Sequence, residues 1–270
     1  MPASISDKRD AFRRLHQDGC FVLPNPWDVG SAKVLQHLGF KALATTSAGM
    51  AWAMGRADGA VSLDEVLLHL SSLAHATDLP LNADFENAFA DAPEAVARNV
   101  ALAVDTGVSG LSVEDYTGDS AQGLYEFDLA VARVAAARAA IDRTQSGVVL
   151  TARSEGFIRG APDLEETIRR LKAFAAAGAD CLYAPGIREE AQVRAVVQAA
   201  APKPVNLLFA GLPVATAAEW GVRRISLGGA LASVAYNHFL AAATEIAEQG
   251  TFDKVAQAPR GQLTAIFGGT

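Results

Sequence analysis

Residues 81–89 read LNADFENAF: an apolar start that suits a β-strand, followed by Asp84 and Glu86. Taken as one strand, side chains two positions apart point the same way, so both carboxylates would face one point. Such a pair can hold a cation, share a proton or cap the following helix. GLSVED (110–115) closes on Glu114 and Asp115, and GVVLTARSE (147–155) carries Arg153 and Glu155. Asn25 and Trp27 end the first apolar run, and Thr45, Thr46, Ser47 and Gly49 follow the second. Tyr183 ends ADCLYAP, and Asn206 lies in PVNLLF.

These residues all sit at the ends of short apolar runs, and helical stretches separate the runs. FVLPN (21–25), ALATTS (42–47), LNADFE (81–86), GLSVED, GVVLTARSE, ADCLYAP (179–185), PVNLLF (204–209) and RRISLGG (223–229) make eight strand–helix units. Nearly continuous apolar strands with helices between them indicate a parallel sheet buried on both faces. Eight units in about 250 residues predict a (β/α)8 TIM barrel, one domain over 1–270. In DTGVSGL, AAGADCL and EWGVRRI a helix stops at Gly and a strand follows at once. SLDE at Ser62 fits a capping box. The alternative, an open doubly wound sheet, lacks a Gly-rich phosphate fingerprint after its first strand. Residues 5–19 predict an extra helix before the barrel, and the apolar tail GQLTAIFGGT is suited to packing on another subunit.

Half of the 270 residues are hydrophobic, a fifth are charged, and the formal net charge is -7. That balance argues against nucleic acid or an acidic membrane surface as partner. Cys20 and Cys181 sit in apolar runs and read as core thiols. The polar start MPASISDKRDAF lacks a signal-peptide core, and no apolar stretch is long enough to span a membrane, so a cytoplasmic protein is expected. His16, His37, His69, His75 and His238 fall in helical stretches without metal-ligand spacing and read as surface or interface residues. A GxSxG elbow and a P-loop are both missing from the sequence.

In a TIM barrel the active site lies at the C-terminal ends of the strands. Acids on neighbouring third and fourth strands would repel in a dry cavity, and burying unpaired charge costs several kcal/mol per ion. A hard divalent cation resolves the conflict, and Mg2+ prefers carboxylate oxygens while keeping several waters. Arg153 could then clamp a substrate carboxylate. The competing reading is a salt-bridge network, Arg153 with Glu155 or Glu114, that only braces the barrel. SAGM after the second strand offers backbone N–H groups near a glycine, suited to an anionic oxygen. Asp58, in the Gly-rich stretch WAMGRADGAVS, reads first as a turn former.

In this order the segments resemble the isocitrate lyase and phosphoenolpyruvate mutase superfamily over nearly the whole chain. NPWDVGSAKVLQHLGFKALATTSAG is similar to the family's opening, and NADFENAF stands where the family has D-x-D. VEDY, TARSEGF and PVNLL resemble its VED, AR-T/S-D/E and seventh-strand Asn elements. The resemblance implies Mg2+, with Mn2+ as a substitute, held directly or through water by Asp84, Glu86 and Glu114. It implies a small 2-oxo or enol carboxylate as substrate, met by Ser47, the Ala48 and Gly49 backbone, Arg153 and Asn206, with Trp27 and Asp84 in the same group. Asp58 matches the acid of a G-x-P-D loop and is counted with Arg153 and Glu114 as catalytic. A last helix swapped between subunits, in a dimer or dimer of dimers, is implied as well.

The departures shape the expected chemistry. Family lyases carry a K-[KR]-C-G-H loop after VED, whose Cys acts as an acid; here the stretch is TGDSAQGLYEF. The sixth strand ends in APG, with Pro185 where the lyases have Glu. The mutase's basic Asn-containing loop is absent too, and Glu86 is one methylene longer than the second Asp. The expected activity is therefore a Mg-dependent lyase or decarboxylase that makes or breaks a C–C bond beside a 2-oxo carboxylate. The bond change would run through a metal-stabilised enolate, with an oxaloacetate-like substrate. Tyr116, Tyr183 or a water would give the proton. The alternatives are P–C chemistry on a phosphonopyruvate-like substrate, which needs a cation near 116–127, and a non-catalytic 2-oxo-acid binder.

Overall fold

The structure is a computed structural model that describes residues 2–256 and 262–268. A first helix, α1 (Ile5–Leu15), precedes β1 (Phe21–Leu23) and α2 (Val29–His37). Then come β2 (Leu43–Ala44), α3 (Ser47–Ala53), α4 (Leu63–Ala76), β3 (Leu81–Asp84) and α5 (Pro93–Asp105). They are followed by β4 (Gly110–Glu114), α6 (Phe127–Thr144), β5 (Val149–Arg153), α7 (Leu164–Ala176), β6 (Cys181–Tyr183) and α8 (Glu190–Ala200). The chain ends in β7 (Val205–Leu208), α9 (Val214–Glu219), β8 (Arg224–Ser226), α10 (Ala230–Gln249), α11 (Asp253–Ala256) and α12 (Gln262–Phe267).

All eight strands are parallel, in the order β1-β8-β7-β6-β5-β4-β3-β2. The two ends of that order meet: Ala44 N donates to Pro24 O at 3.0 Å, and Asn25 Nδ2 donates to Thr45 O at 2.7 Å. The sheet therefore closes into the expected (β/α)8 barrel. The three helix-to-strand stops at Gly107, Gly178 and Gly221 have φ of 94°, 104° and 91°, a backbone region that disfavours any residue with a Cβ. The Ser62 capping box forms with Glu65 and fixes the start of α4.

The main core lies between the barrel and its helix ring, with Leu70, Phe85, Leu111, Ile141, Leu150 and Phe174 buried in it. Phe12 of α1 belongs to a second cluster with Leu23 and Val149 that closes the bottom of the barrel. The barrel interior above this plug is polar. Arg224, buried on β8, donates to Asn206 Oδ1 at 2.8 Å and to Thr151 Oγ1 at 3.1 Å.

Two expectations need correction here. β3 stops at Asp84, and Glu86 has φ 46°, so strand alternation does not relate the two acids. His16 and His69 turn inward instead of outward. His16 stacks edge-on against Phe12 and Phe21 and stands 3.2 Å from Arg224, so burial and that cation push it down to about 3. Cys181 is buried and Cys20 half-buried, and both are free thiols.

Candidate active site

A cavity of about 500 Å³ opens at the C-terminal ends of the strands. Among the described residues its wall carries five carboxylates, Asp58, Asp84, Glu86, Glu114 and Glu155, and three guanidinium groups, Arg153, Arg159 and Arg224. The strand ends supply most of these groups. The loops after β2, β3 and β5 bring the rest.

Arg153 is the hub. Its Nη1 donates to Asp84 Oδ1 at 2.6 Å, its Nε to Glu155 Oε1 at 2.9 Å, and its Nη2 lies 3.2 Å from Glu114 Oε2. The bracing network weighed in the sequence is thus present, with Asp84 as a third arm. Burial opposes the charge of Arg153, but Glu155, Glu114 and Asp84 together hold its pKa above the ordinary value. Burial pushes Glu114 well above the usual carboxylate range; Arg153 opposes this, and Glu155 adds to it. Burial also raises Glu86, to about 7, and the like charges of Asp84 and Asp58 add to the rise.

Asp84 is fixed from a second side. Ser47 N donates to its Oδ2 at 3.1 Å, and its own N–H donates to Thr45 Oγ1 at 2.8 Å. Ser47 opens the short helix α3, so the SAGM stretch read as backbone anion donors is helical. Thr46 caps that helix by accepting from Gly49 N at 3.3 Å. Of the N–H groups read as anion donors, those of Ser47 and Gly49 therefore have protein partners. Ser47 and Ala48 line the cavity; Gly49 and Trp27 lie behind its wall. A Cβ on Gly49 would stand 2.9 Å from the Trp27 Cβ, so this pair is a tight packing contact. Asn206 lines the cavity, but its amide is taken by Arg224 and by Ser226 Oγ at 2.9 Å.

The loop after β3 is held in a costly conformation. Glu86, Ala88 and Phe89 have φ of 46°, 59° and 54°, and each such residue costs of order 1 kcal/mol or more. Groups from distant helices hold it there. Arg133 of α6 donates to the carbonyls of Asn87, Ala90 and Asp91, and Asn99 of α5 donates to Ala88 O at 2.9 Å. The loop carries Glu86 into the cavity wall, and Glu86 O accepts from Glu114 N at 3.0 Å.

The remaining predicted residues divide. Asp58 lies on an exposed loop yet lines the cavity. Tyr116 and Tyr183 line it too, and burial raises the Tyr183 phenol to about 12. Asp115 turns away from it: its carboxylate accepts from Glu155 N at 2.8 Å and from Arg170 Nη1 at 3.2 Å. Arg159 escaped the sequence reading. It stacks 3.9 Å over the Tyr116 ring and lies 3.6 Å from Glu114 and 3.3 Å from Glu155. The available signal was a second Arg six positions after Arg153 in the βα loop.

The acids converge on Arg153, and among the described residues no three His, Cys, Asp or Glu side chains form a ready metal shell. A divalent cation fits nonetheless. Mg2+ commonly takes one or two carboxylates and completes its shell with water and substrate. Glu86 lines the cavity with no hydrogen bond to its carboxylate among the described residues; burial, Asp84 and Asp58 raise it to about 7 against the opposing pull of Arg153 and Arg159.

The sequence profile of the phosphoenolpyruvate phosphomutase family matches residues 12–247. The chain belongs to this family. A crystal structure of a protein from Burkholderia cenocepacia J2315 superposes with a TM-score of 0.95 at 43% identity, covering 98% of each chain. Oxaloacetate acetylhydrolase in complex with its product oxalate gives a TM-score of 0.87 at 27% identity, over 98% of this chain and 94% of that one. Oxaloacetate decarboxylase from Paraburkholderia xenovorans (strain LB400) is 31% identical over 215 residues, 75% of this chain and 69% of that protein. In this chain Asp84 and Glu114 stand at strand ends, and the 116–127 stretch holds no Cys, His or Lys.

Proposed function

We propose that the protein is a divalent-metal-dependent lyase or decarboxylase acting on the C–C bond beside a 2-oxo carboxylate, with oxaloacetate-like diacids as substrates. The observation that carries this reading is the gathering of Asp84, Glu86, Glu114 and Arg153 around one roomy cavity at the strand ends. Membership of the family supports it, as do relatives named for oxaloacetate chemistry.

Asp84 and Glu86 would hold the cation, with Glu114 acting through water, and Mg2+ suits their hard oxygens. When bound, the cation supplies positive charge where negative charge develops on the substrate's ketone oxygen. Arg153 would orient the substrate carboxylate by exchanging one of its present carboxylate partners for it. Arg159, 40% exposed at the mouth, would leave its pairs with Glu114 and Glu155 to meet the second carboxylate. Burial raises the Tyr183 phenol to about 12, so it keeps its proton at neutral pH, and Tyr116 and Tyr183 would donate hydrogen bonds to the bound substrate. Asp58 would close the open side of the cavity. Purified protein with Mg2+ should release pyruvate from oxaloacetate and lose that activity in EDTA. Binding of oxalate without turnover of any 2-oxo or 2-hydroxy diacid would favour a non-catalytic binder.

One observation favours P–C chemistry as the second reading. The cation that a phosphoryl group would need near 116–127 is present after all, because Arg159 packs on Tyr116. Release of phosphate from phosphonopyruvate would promote it. We also propose self-association through α10, whose Val234, Phe239 and Leu240 are 55%, 70% and 61% exposed. Light scattering on the purified protein should give a dimer or tetramer mass.

A further inference from the structure

Three other helical histidines share one habit. His16, His75 and His238 each donate Nδ1–H to the carbonyl four residues earlier, at 2.8 Å. His69 on α4 makes no such bond among the described contacts. It stands one turn from Val66 on the inward face of that helix, and its Nε2 is buried without a hydrogen-bond partner. Leaving a buried polar atom unpaired costs about 1–3 kcal/mol, so the arrangement calls for a partner.

Glu86 presents the matching vacancy. Its raised pKa reflects burial and neighbouring charges with no hydrogen bond to its carboxylate. Asp84, two residues away, is gripped by Ser47 N and Arg153. His69 and Glu86 face one small gap of about 10 Å³, shared with Thr45, Thr46, Ser47 and Asp84. That is about the room a single water needs, and the walls offer the two or more polar partners a buried water requires.

We propose that His69 is a positioning residue for Glu86: a single water bridges His69 Nε2 to the Glu86 carboxylate and holds it toward the cavity. The proposal rests on the metal-site reading above for its consequence, because groups behind a ligating carboxylate set its orientation and so the affinity for the metal. The histidine would never touch substrate. It would act by fixing a long, otherwise free side chain on a strained backbone.

The test has two arms. In the first, metal-free protein carries 15N-labelled histidine. Glu86→Gln should move the ring-nitrogen resonances of His69, and Asp58→Asn should leave them in place. In the second, Mn2+ uptake is followed by electron paramagnetic resonance. His69→Leu should weaken Mn2+ binding by about tenfold to a hundredfold. His69→Gln, which returns a polar atom near the Nε2 position, should bring it back to within about threefold of wild type. The double variant E86Q/H69L should bind no more weakly than E86Q alone, since the histidine works through that one carboxylate. Ring nitrogens indifferent to Glu86→Gln would overturn the proposal, and so would losses that multiply in the double variant. Wild-type protein that takes up no Mn2+ would sink the metal reading alone; the ring-nitrogen comparison would still decide whether His69 holds Glu86.

Discussion

Asp115 and Glu86 are acids just beyond β4 and β3, Asp115 buried and Glu86 partly so, and burial shifts both upward, to about 6 and about 7. Their surroundings differ. Asp115 accepts from the Glu155 backbone and from Arg170, whose guanidinium also reaches Glu166 at 2.7 Å and Tyr125 O at 2.9 Å. It ties β4 to β5 and α7. Glu86 has no such hydrogen-bond partner among the described residues; Asp84 and Asp58 raise it, and Arg153 and Arg159 pull the other way. The residue type is therefore uninformative by itself. A carboxylate whose hydrogen bonds are all made inside the protein is a strut, and one that has none is a candidate for binding.

The sharpest test of that contrast is stability. Asp115→Ala strips a buried guanidinium of one partner and a buried N–H of its acceptor, which should cost about 3–5 kcal/mol in urea unfolding. Glu86→Gln removes an unpaired buried charge and should leave metal-free protein within about 1 kcal/mol of wild type or more stable. Its loss should appear instead as Mn2+ or Mg2+ affinity, down about tenfold or more. If Glu86→Gln unfolds the protein as readily as Asp115→Ala, the two acids are both struts and the contrast fails.

How far the sequence carried this distinction depends on where the partners come from. The barrel was legible because its signals are local: apolar runs, a Gly at three of the helix stops, and Ser62 three residues before Glu65. The strand-end positions of Asp84, Glu114 and Arg153 followed from the same pattern. The conformation of the loop after β3 did not, because Arg133 and Asn99 impose it from helices that come later in the chain. Extrapolating strand alternation to Glu86 failed there, although the loop still delivers that side chain to the cavity. Metal-ligand spacing says nothing of His69, because the buried gap it shares with Glu86 forms only when α4 packs beside the loop after β3. Arg159 was missed because only the folded chain lays it on Tyr116. The roles of Trp27 and Gly49 looked alike to Ser47 in sequence, yet a packing contact places them behind the wall.

The pH dependence offers a finer comparison. A carboxylate whose folded pKa lies above its unfolded value binds its proton more tightly in the native state. Stability from Glu86 is thus fully present below about 4.5 and is lost as pH rises toward about 7. The loss is at most about 3 kcal/mol and smaller with solvent screening. In EDTA, wild type should lose stability across that window relative to Glu86→Gln. Saturating Mg2+ should flatten the difference, because the cation favours the ionised form. Parallel pH profiles for the two proteins in EDTA would mean that Glu86 is better compensated than its surroundings indicate.

The smallest effect belongs to the mouth. Arg159 is 40% exposed and touches Glu114 and Glu155 only at 3.6 and 3.3 Å, so its ion pairs contribute little to folding. Arg159→Met keeps much of the aliphatic stem over Tyr116 and removes the charge. Its unfolding midpoint should stay near that of wild type. If Arg159 binds the distal carboxylate in ground state and transition state alike, KM for an oxaloacetate-like diacid should rise about tenfold with kcat little changed. A monocarboxylic 2-oxo acid should show no such rise, since it has nothing for Arg159 to hold. Should kcat fall instead, and fall equally for both substrates, Arg159 acts in the transition state and not on the distal carboxylate, and the mouth is not a separate binding element.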